Sequence, residues 1–364
     1  MSTVKRVACV INRLNTSGGA ERVMSVLCNR FVEQGIETTV IVRQEPECWY
    51  PLDERVHLVA TSVSGRVAVL RNLKRNLKLR RELKKARPDV IISFMTPMNI
   101  QTILFSAGLG IPVIVSERNN PETDIAKRDK VMAKLLYPLC RGLVFQTEEA
   151  KNWFSKRVQD KGTVIPNPIS ENLPARKVPV PGRIVSVGRL TAQKNQKMLI
   201  DAFSVYSADN PEATLTIYGQ GPMREELEQY AAARGMQGKV TLAGYCANVM
   251  EAIADAELFI LPSDYEGMPN ALMEAMGIGL PCISTDCPCG GPAYLIEDGV
   301  NGVLVPVADA EAMTAAIRRL MGDEALRTRL GEAATNLRQQ LEPHRIAQEW
   351  LNFCAQRGIG SREE

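Results

Sequence analysis

Short apolar runs alternate with amphipathic stretches along almost the whole chain, and glycine-rich loops separate them. VKRVACVI reads as a buried-type strand and NRLNTSGG as a loop; AERVMSVLCNRFVEQG carries apolar residues at helical spacing up to Gly35. ETTVIV, DVIISF, PVIVS and GLVFQ follow as strands with helical stretches between them. This alternation predicts a parallel α/β sheet. The proline-rich segment PNPISENLPARKVPVPG, residues 166–182, interrupts the pattern and reads as a linker. The alternation then restarts with RIVSVG, ATLTIYG, KVTLAG, ELFILP and PCIST. The expected architecture is therefore α/β: two tandem Rossmann-like, doubly wound parallel sheets facing a central cleft. Their spans are 1–168 and 183–343, with 169–182 between them. A chain of 364 residues is long for one core, which agrees with two domains. Ligands of such sheets bind beyond the carboxyl ends of the strands. The tail GIGSREE is expected to fray.

Composition removes several function classes. No run approaches 18 apolar residues, so no transmembrane helix is expected. MSTVKRVACVI lacks the apolar core and cleavage site of a signal peptide, which favours a cytoplasmic protein. Nine scattered cysteines read as reduced thiols rather than a disulfide framework. Cys282, Cys287 and Cys289 crowd one segment, but no second cluster has metal-ligand spacing, and His57 and His344 are the only imidazoles. Zinc chemistry and histidine-based nucleophilic catalysis are thereby disfavoured. The formal net charge of +3 hides an asymmetry: residues 1–182 hold 29 Lys+Arg against 17 Asp+Glu, and residues 183–364 hold 15 against 24. A basic half joined to an acidic half suggests that one half faces an anionic partner.

Three loops carry candidate chemistry. In DYEGMPNALMEAMGIGLP, Pro269 suits the first position of a helix that Gly277 and Gly279 end. Glu266 then lies just outside the helix start and Glu274 about a turn and a half inside it. Two carboxylates around the unpaired N–H groups of a helix start suit a ligand with a negative centre and hydroxylated ends, such as a sugar nucleotide. A capped surface helix with solvated glutamates is the plain alternative. In VGRLTAQKNQ, Arg189 and Lys194 leave the first strand of the second domain five residues apart and suit a diphosphate, or are two solvated cations. In NTSGGAER, Gly18 and Gly19 open a helix where bare backbone N–H groups approach phosphate, or simply make a tight turn. The spacing is not G-x-G-x-x-G, which weighs against a nicotinamide dehydrogenase. A fourth stretch, Arg66 to Arg87, holds ten basic residues and one acid, Glu82. Leu70, Leu73 and Leu77, with Val69, read as an apolar stripe that Leu79 and Leu83 extend. This is a cationic amphipathic helix suited to an anionic bilayer or a lipid pyrophosphate, or the solvated face of an ordinary helix. Without aromatic interleaving, and with an acidic second domain, no nucleic-acid partner is expected.

GGAER, GRLTAQKN and EGMPNALMEA together resemble the family-4 retaining glycosyltransferases of the GT-B fold, and the similarity continues through GLPCISTD and DGVNGVLVP over essentially the whole chain. Glu266 and Glu274 match that family's E-x7-E pattern. The resemblance implies that Arg189 and Lys194 hold the nucleotide diphosphate, Glu274 the ribose hydroxyls and Glu266 the donor hexose. The backbone of Gly267, Met268, Pro269, Asn270, Ala271 and Leu272 would meet sugar and phosphate, with Gly18 and Gly19 facing the phosphate from the other domain. It also implies that HRIAQEWLNFCAQ, within 344–364, is a helix crossing back to the first domain. Leaving-group charge would be stabilised by Arg, Lys and helix N-termini, with no cofactor and no metal. Glu266 stands either as a nucleophile or as an orienting group. The chain departs from the family after PVIVS, where many members carry a histidine and this one reads SERNNPE. Glu117 there would orient or deprotonate the acceptor hydroxyl and Arg118 would bind phosphate, unless the two form a salt-bridged loop pair. Ser-Glu at this place resembles a bacterial subgroup that extends lipid-linked oligosaccharides, closest to the N-acetylgalactosaminyl-diphosphoundecaprenol transferases. In that subgroup a basic helix engages undecaprenyl pyrophosphate, here through Lys74, Arg75, Lys78 and Arg81. The implied partners are a UDP-sugar, an undecaprenyl-pyrophosphate-linked glycan and the anionic inner face of the cytoplasmic membrane. A GT-B epimerase or phosphorylase, and a non-catalytic carbohydrate-binding scaffold, remain the other classes.

Overall fold

A computed structural model describes residues 4–118, 120–123 and 125–358, so the tail expected to fray lies outside the described residues from position 359. The chain divides into two compact units, residues 1–168 with 343–364, and residues 169–342. In the first, β1 (Arg6–Ile11), β2 (Glu37–Val42), β3 (His57–Ala60), β4 (Val90–Phe94), β5 (Val113–Ser116), β6 (Gly142–Phe145) and β7 (Gly162–Val164) form one parallel sheet in the order β3-β2-β1-β4-β5-β6-β7. In the second, β8 (Arg183–Val187), β9 (Thr214–Tyr218), β10 (Val240–Gly244), β11 (Leu258–Leu261), β12 (Cys282–Thr285) and β13 (Val303–Val305) run parallel in the order β10-β9-β8-β11-β12-β13. Each order reverses beside its first strand, between β1 and β4 and between β8 and β11. Such reversals leave a crevice at the carboxyl ends of the two strands.

Three of these strands, β3, β7 and β13, are absent from the reading of the sequence. They are three or four residues long and lie at sheet edges. Segments that short have too few positions for a period to register.

Apolar spacing explains the packing. The helix Gly19–Glu33 buries Val23, Met24, Leu27 and Phe31, and the helix Pro343–Gly358 joins the same core through Ile346, Trp350 and Phe353. Trp350 is fully buried with its ring 5.6 Å from that of Phe94, so truncating it to Ala would cost about 3–5 kcal/mol. The last helix therefore belongs to the first unit. In the second unit the helix Asn270–Ile278 buries Leu272, Met273 and Met276 against Phe259, and Gly279 ends it in the left-handed region at φ 92°. Pro269 is the residue before the helix rather than its first.

Two expectations change. The segment 169–182 is laid along the second unit: Lys177 N–H donates to the Ala254 carbonyl, Val180 N–H to that of Asp255, and the Arg176 guanidinium to those of Ala254 and Ala256. The basic helix spans Ala68–Ala86, and its leucines form two faces instead of one. Leu79 and Leu83 are buried, while Leu70, Leu73 and Leu77 are exposed. At 100° per residue Leu79 lies about 180° around the helix from Leu70, so the two sets never shared a stripe.

Candidate functional site

The loops leaving β8 and β11 flank the crevice of the second unit, and a lattice of hydrogen bonds locks them together. Asp264 N–H donates to the Gln193 carbonyl at 2.8 Å, and the Gln193 amide returns a bond to the Tyr265 carbonyl at 2.9 Å. Asn195 takes the left-handed conformation, caps the helix Gln196–Asp209 with its side-chain oxygen and donates to Asp264 Oδ1 at 2.7 Å. The lattice brings Lys194 Nζ onto Glu266 Oε1, which also accepts from Ser263 Oγ at 2.6 Å. Glu266 is 6% exposed and held by its backbone too: its N–H donates to the Pro288 carbonyl, and Cys289 N–H donates to its carbonyl at 3.0 Å. Gly291 makes that approach possible, since a Cβ there would lie 1.8 Å from the Gly267 carbonyl oxygen.

The structure thus joins Lys194 to Glu266. One carboxylate oxygen, Oε1, carries both the ammonium and the serine hydroxyl. Arg189 is exposed in the same loop, its guanidinium 3.4 Å from Gln193 Oε1. Met268, Pro269 and Leu272 are buried and Gly267, Asn270 and Ala271 half-buried, so this segment offers a ligand chiefly its backbone. Glu274 is half-buried on the fifth residue of the helix. Ser263, Gln193 and the Cys287–Gly291 turn escaped the sequence reading. The turn was visible only as two crowded cysteines, and neither Ser263 nor Gln193 carries a signal of its own.

In the first unit Gly18 and Gly19 do open a helix, with Gly18 extended before it. That helix start already has an anion. The Glu21 carboxylate lies over Gly18, where a Cβ would meet Oε2 at 2.1 Å, and accepts from Thr16 Oγ1 at 3.0 Å.

Glu117 and Arg118 are not a pair. Glu117, 3% exposed, accepts from Thr96 Oγ1 at 2.9 Å, Asn99 Nδ2 at 3.1 Å and the Tyr137 hydroxyl. Burial pushes its pKa up, and the three donors only partly counter this. Arg118, 5% exposed, lies over the Phe94 ring at 4.6 Å and donates to Asn167 Oδ1 and, at 3.4 Å, to Ser116 Oγ. Its Nε is buried without a partner, and burial pulls its pKa down to about 9. Glu117 is thereby a bolt within the fold, and Arg118 a buried cation with no carboxylate partner among the described residues.

On the basic helix, Lys74 and Arg81 are exposed, Arg81 lying 3.4 Å from Glu82. Arg75 and Lys78 are half-buried, and Lys78 donates to the Ser62 carbonyl at 3.4 Å. No helix among the described residues is long and apolar enough to cross a membrane.

Comparison with known proteins gives this geometry its setting. The model of Glycosyltransferase Family 4 matches residues 17–173, and that of Glycosyl transferases group 1 matches residues 175–337. The chain is 28% identical to a Campylobacter jejuni enzyme, the GalNAc-alpha-(1->4)-GalNAc-alpha-(1->3)-diNAcBac-PP-undecaprenol alpha-1,4-N-acetyl-D-galactosaminyltransferase, over 96% of this chain and 98% of that one. It is 26% identical to the amylovoran biosynthesis glycosyltransferase AmsD of Erwinia amylovora, over 95% and 98%. Among solved structures, Anabaena HepE in complex with UDP and glucose superposes with a TM-score of 0.83 at 18% identity, over 97% of this chain and 99% of that one. With a family-4 region followed by a group-1 region on two parallel Rossmann-like sheets, the chain belongs to the glycosyltransferases of the GT-B fold.

Proposed function

We propose that the protein moves a hexose or N-acetylhexosamine, N-acetylgalactosamine by first choice, from a UDP-sugar to an undecaprenyl-diphosphate-linked glycan. The transfer retains anomeric configuration, needs no metal, and takes place at the inner face of the cytoplasmic membrane. The observation that carries this reading is the Lys194–Glu266 pair at the carboxyl ends of β8 and β11, with Arg189 beside it. UDP in the complexes of the solved neighbour and the lipid-linked substrate in the Campylobacter enzyme's name support the donor and acceptor classes.

Arg189 and Lys194 bind the diphosphate and stabilise the charge that grows on it as the bond from sugar C1 to the phosphate oxygen breaks. Glu266 accepts from a hydroxyl of the hexose through the oxygen that Lys194 and Ser263 leave open. The acceptor hydroxyl attacks C1 from the face the phosphate leaves, and its proton passes to the departing phosphate oxygen. Glu117, with three internal donors on its carboxylate, shapes the acceptor side by holding the helix Thr96–Ser106 rather than by removing that proton. Arg118 and the outer cations of Ala68–Ala86 attract the acceptor's diphosphate.

The test is UDP release by the purified protein across a panel of UDP-sugars, with and without an undecaprenyl-diphosphate-linked oligosaccharide. Acceptor-dependent release with one donor, unchanged by EDTA, is expected. Release only with lipopolysaccharide core as acceptor would overturn the lipid-linked assignment, and a requirement for added metal would overturn the metal-free one.

A further inference from the structure

The loop after β2 has no part in the chemistry above. It encloses an open hollow of about 500 Å³ lined by Cys48, Trp49, Tyr50, Leu52, Asp53 and Val56 among others. Of the three tryptophans, Trp350 is fully buried and Trp153 half-buried, but Trp49 is 50% exposed. We propose that this hollow is a carbohydrate subsite, in which the indole of Trp49 stacks on a neutral pyranose of the acceptor glycan and the surrounding carboxylates accept its hydroxyls. The inference rests on the glycan acceptor proposed above and adds where its sugars are read.

Position is the first argument. The loop leaves the carboxyl end of β2, the end at which ligands of doubly wound folds bind, and returns along the sheet edge to the start of the parallel β3, with Trp49 on its first half. Trp49 N–H donates to the Leu14 carbonyl at 2.8 Å, and the Tyr50 hydroxyl to the Ser17 carbonyl at 3.1 Å, in the loop that leads into Gly18. Asn29, on the helix Gly19–Glu33, donates to the Pro51 carbonyl and accepts from Asp53 N–H at 2.9 Å. The exposed ring thus stands on a backbone fixed from two sides, which lowers the ordering cost of binding.

Charge selects the occupant. Asp53 and Glu54 line the hollow and Glu45 and Glu47 precede it in the same ten residues, with Arg55 bound to Asp53 at 2.8 Å. Inside a strongly basic half of the chain, this acidic spot repels diphosphates and anionic headgroups. A pyranose meets both features at once. Its C–H face covers the indole, and its rim of hydroxyls donates to carboxylates. The loop is also joined to the cationic helix, because Arg43 at its base donates to Asn72 Oδ1 at 3.1 Å and Asn76 Oδ1 at 3.3 Å. A lipid-diphosphate glycan can therefore lay its diphosphate on the helix Ala68–Ala86 and its sugars on the neighbouring acidic, aromatic loop.

The test is calorimetric titration of the full chain with a GalNAc trisaccharide that carries neither lipid nor diphosphate, using wild type, Trp49→Ala and Trp49→Phe. Wild type is expected to bind, Trp49→Ala about ten-fold more weakly, and Trp49→Phe within about three-fold of wild type, as befits one stacked ring. UDP affinity should be the same in all three, because Arg189 and Lys194 lie in the other unit. The proposal fails if wild type does not bind the trisaccharide, or if Trp49→Ala binds it unchanged. It also fails if Trp49→Ala loses binding only to vesicles of anionic phospholipid, which would make the ring a membrane contact. UDP binding on the same samples probes the second unit separately, so failure here is distinguishable from failure of the transferase reading.

Discussion

At their candidate sites the two units handle neighbouring charges in opposite ways. In the second, cation meets carboxylate: Lys194 on Glu266, Arg327 on Glu257 and Arg183 on Asp255. In the first, Glu117 and Arg118 are adjacent in sequence and both buried, yet each is held by neutral partners. The pairing in the second unit presets a rigid carboxylate, and under the donor role proposed for Lys194 a diphosphate would compete with Glu266 for it. The first unit instead keeps a positive charge in a poorly hydrated place, where neutral hydrogen bonds and an aromatic face offset only part of the desolvation cost. One arrangement positions a carboxylate and the other conserves attraction for an anion.

The largest effect should come from breaking the pair. Lys194→Ala leaves the Glu266 charge nearly buried with only Ser263 to hold it, at a cost of about 3–5 kcal/mol in stability. The same change should lower turnover by roughly 10²–10³-fold through the lost stabilisation of the leaving diphosphate. Lys194→Met with Glu266→Gln removes both charges and should be less destabilised than the sum of the single changes. Denaturant midpoints and UDP release measure both; strict additivity would show that the two residues do not act as a pair.

Much of this contrast was legible in the sequence, but unevenly. Both sheets were readable because parallel strands buried on both faces make continuous apolar runs such as VIISF and LFIL. Arg189, Lys194 and Glu266 stood out by spacing in loops after such runs, and Glu274 by its place in the helix that follows. Ser263 did not, since a serine is unremarkable until its hydroxyl is seen on a carboxylate. The alternative of a loop salt bridge between Glu117 and Arg118 took adjacency in sequence for adjacency of charge. At the end of an extended strand, successive side chains point to opposite sides, which carries one to Tyr137 and the other to Asn167. The leucines of the basic helix were merged for a related reason. Six apolar residues within 15 positions look like one stripe until the 100° step is laid out. The acidic loop around Trp49 fell in a stretch without periodicity and gave no element to reason from.

A middle-sized effect separates the cations of the basic helix. Near an anionic surface each basic residue contributes roughly 1 kcal/mol, so Lys74→Gln with Arg81→Gln should weaken binding to anionic vesicles by about 2 kcal/mol. Arg75→Gln with Lys78→Gln should cost less, because both are half-buried and Lys78 is engaged with Ser62. Sedimentation with vesicles of graded anionic lipid content gives both numbers. Equal losses would mean that the helix reaches the surface with a different face from the one that exposes Leu70, Leu73 and Leu77.

The smallest effect reads the proton of Glu117. Its carboxyl is pushed up in the folded protein by burial, so between the unfolded carboxyl value and the folded one the native state binds more protons than the unfolded chain. Stability from this group is therefore greatest at acid pH, declines as pH rises through the folded value, and is level above it. Tyr137 is shifted up from 10 as well, but an acid raised from that value changes stability only in alkali. Glu117→Gln keeps the shape and lets the Thr96 and Tyr137 hydroxyls turn to match the amide, so neutral-pH stability should move by about 1 kcal/mol. The decisive readout is the slope. The urea midpoint of the wild type should rise relative to that of Glu117→Gln as pH falls towards 4, because only the wild type gains from protonation there. If the two curves stay parallel, the carboxylate is at ease inside its three donors. The first unit would then bury its anion as comfortably as the second pairs its own, leaving Arg118 alone to carry the difference between them.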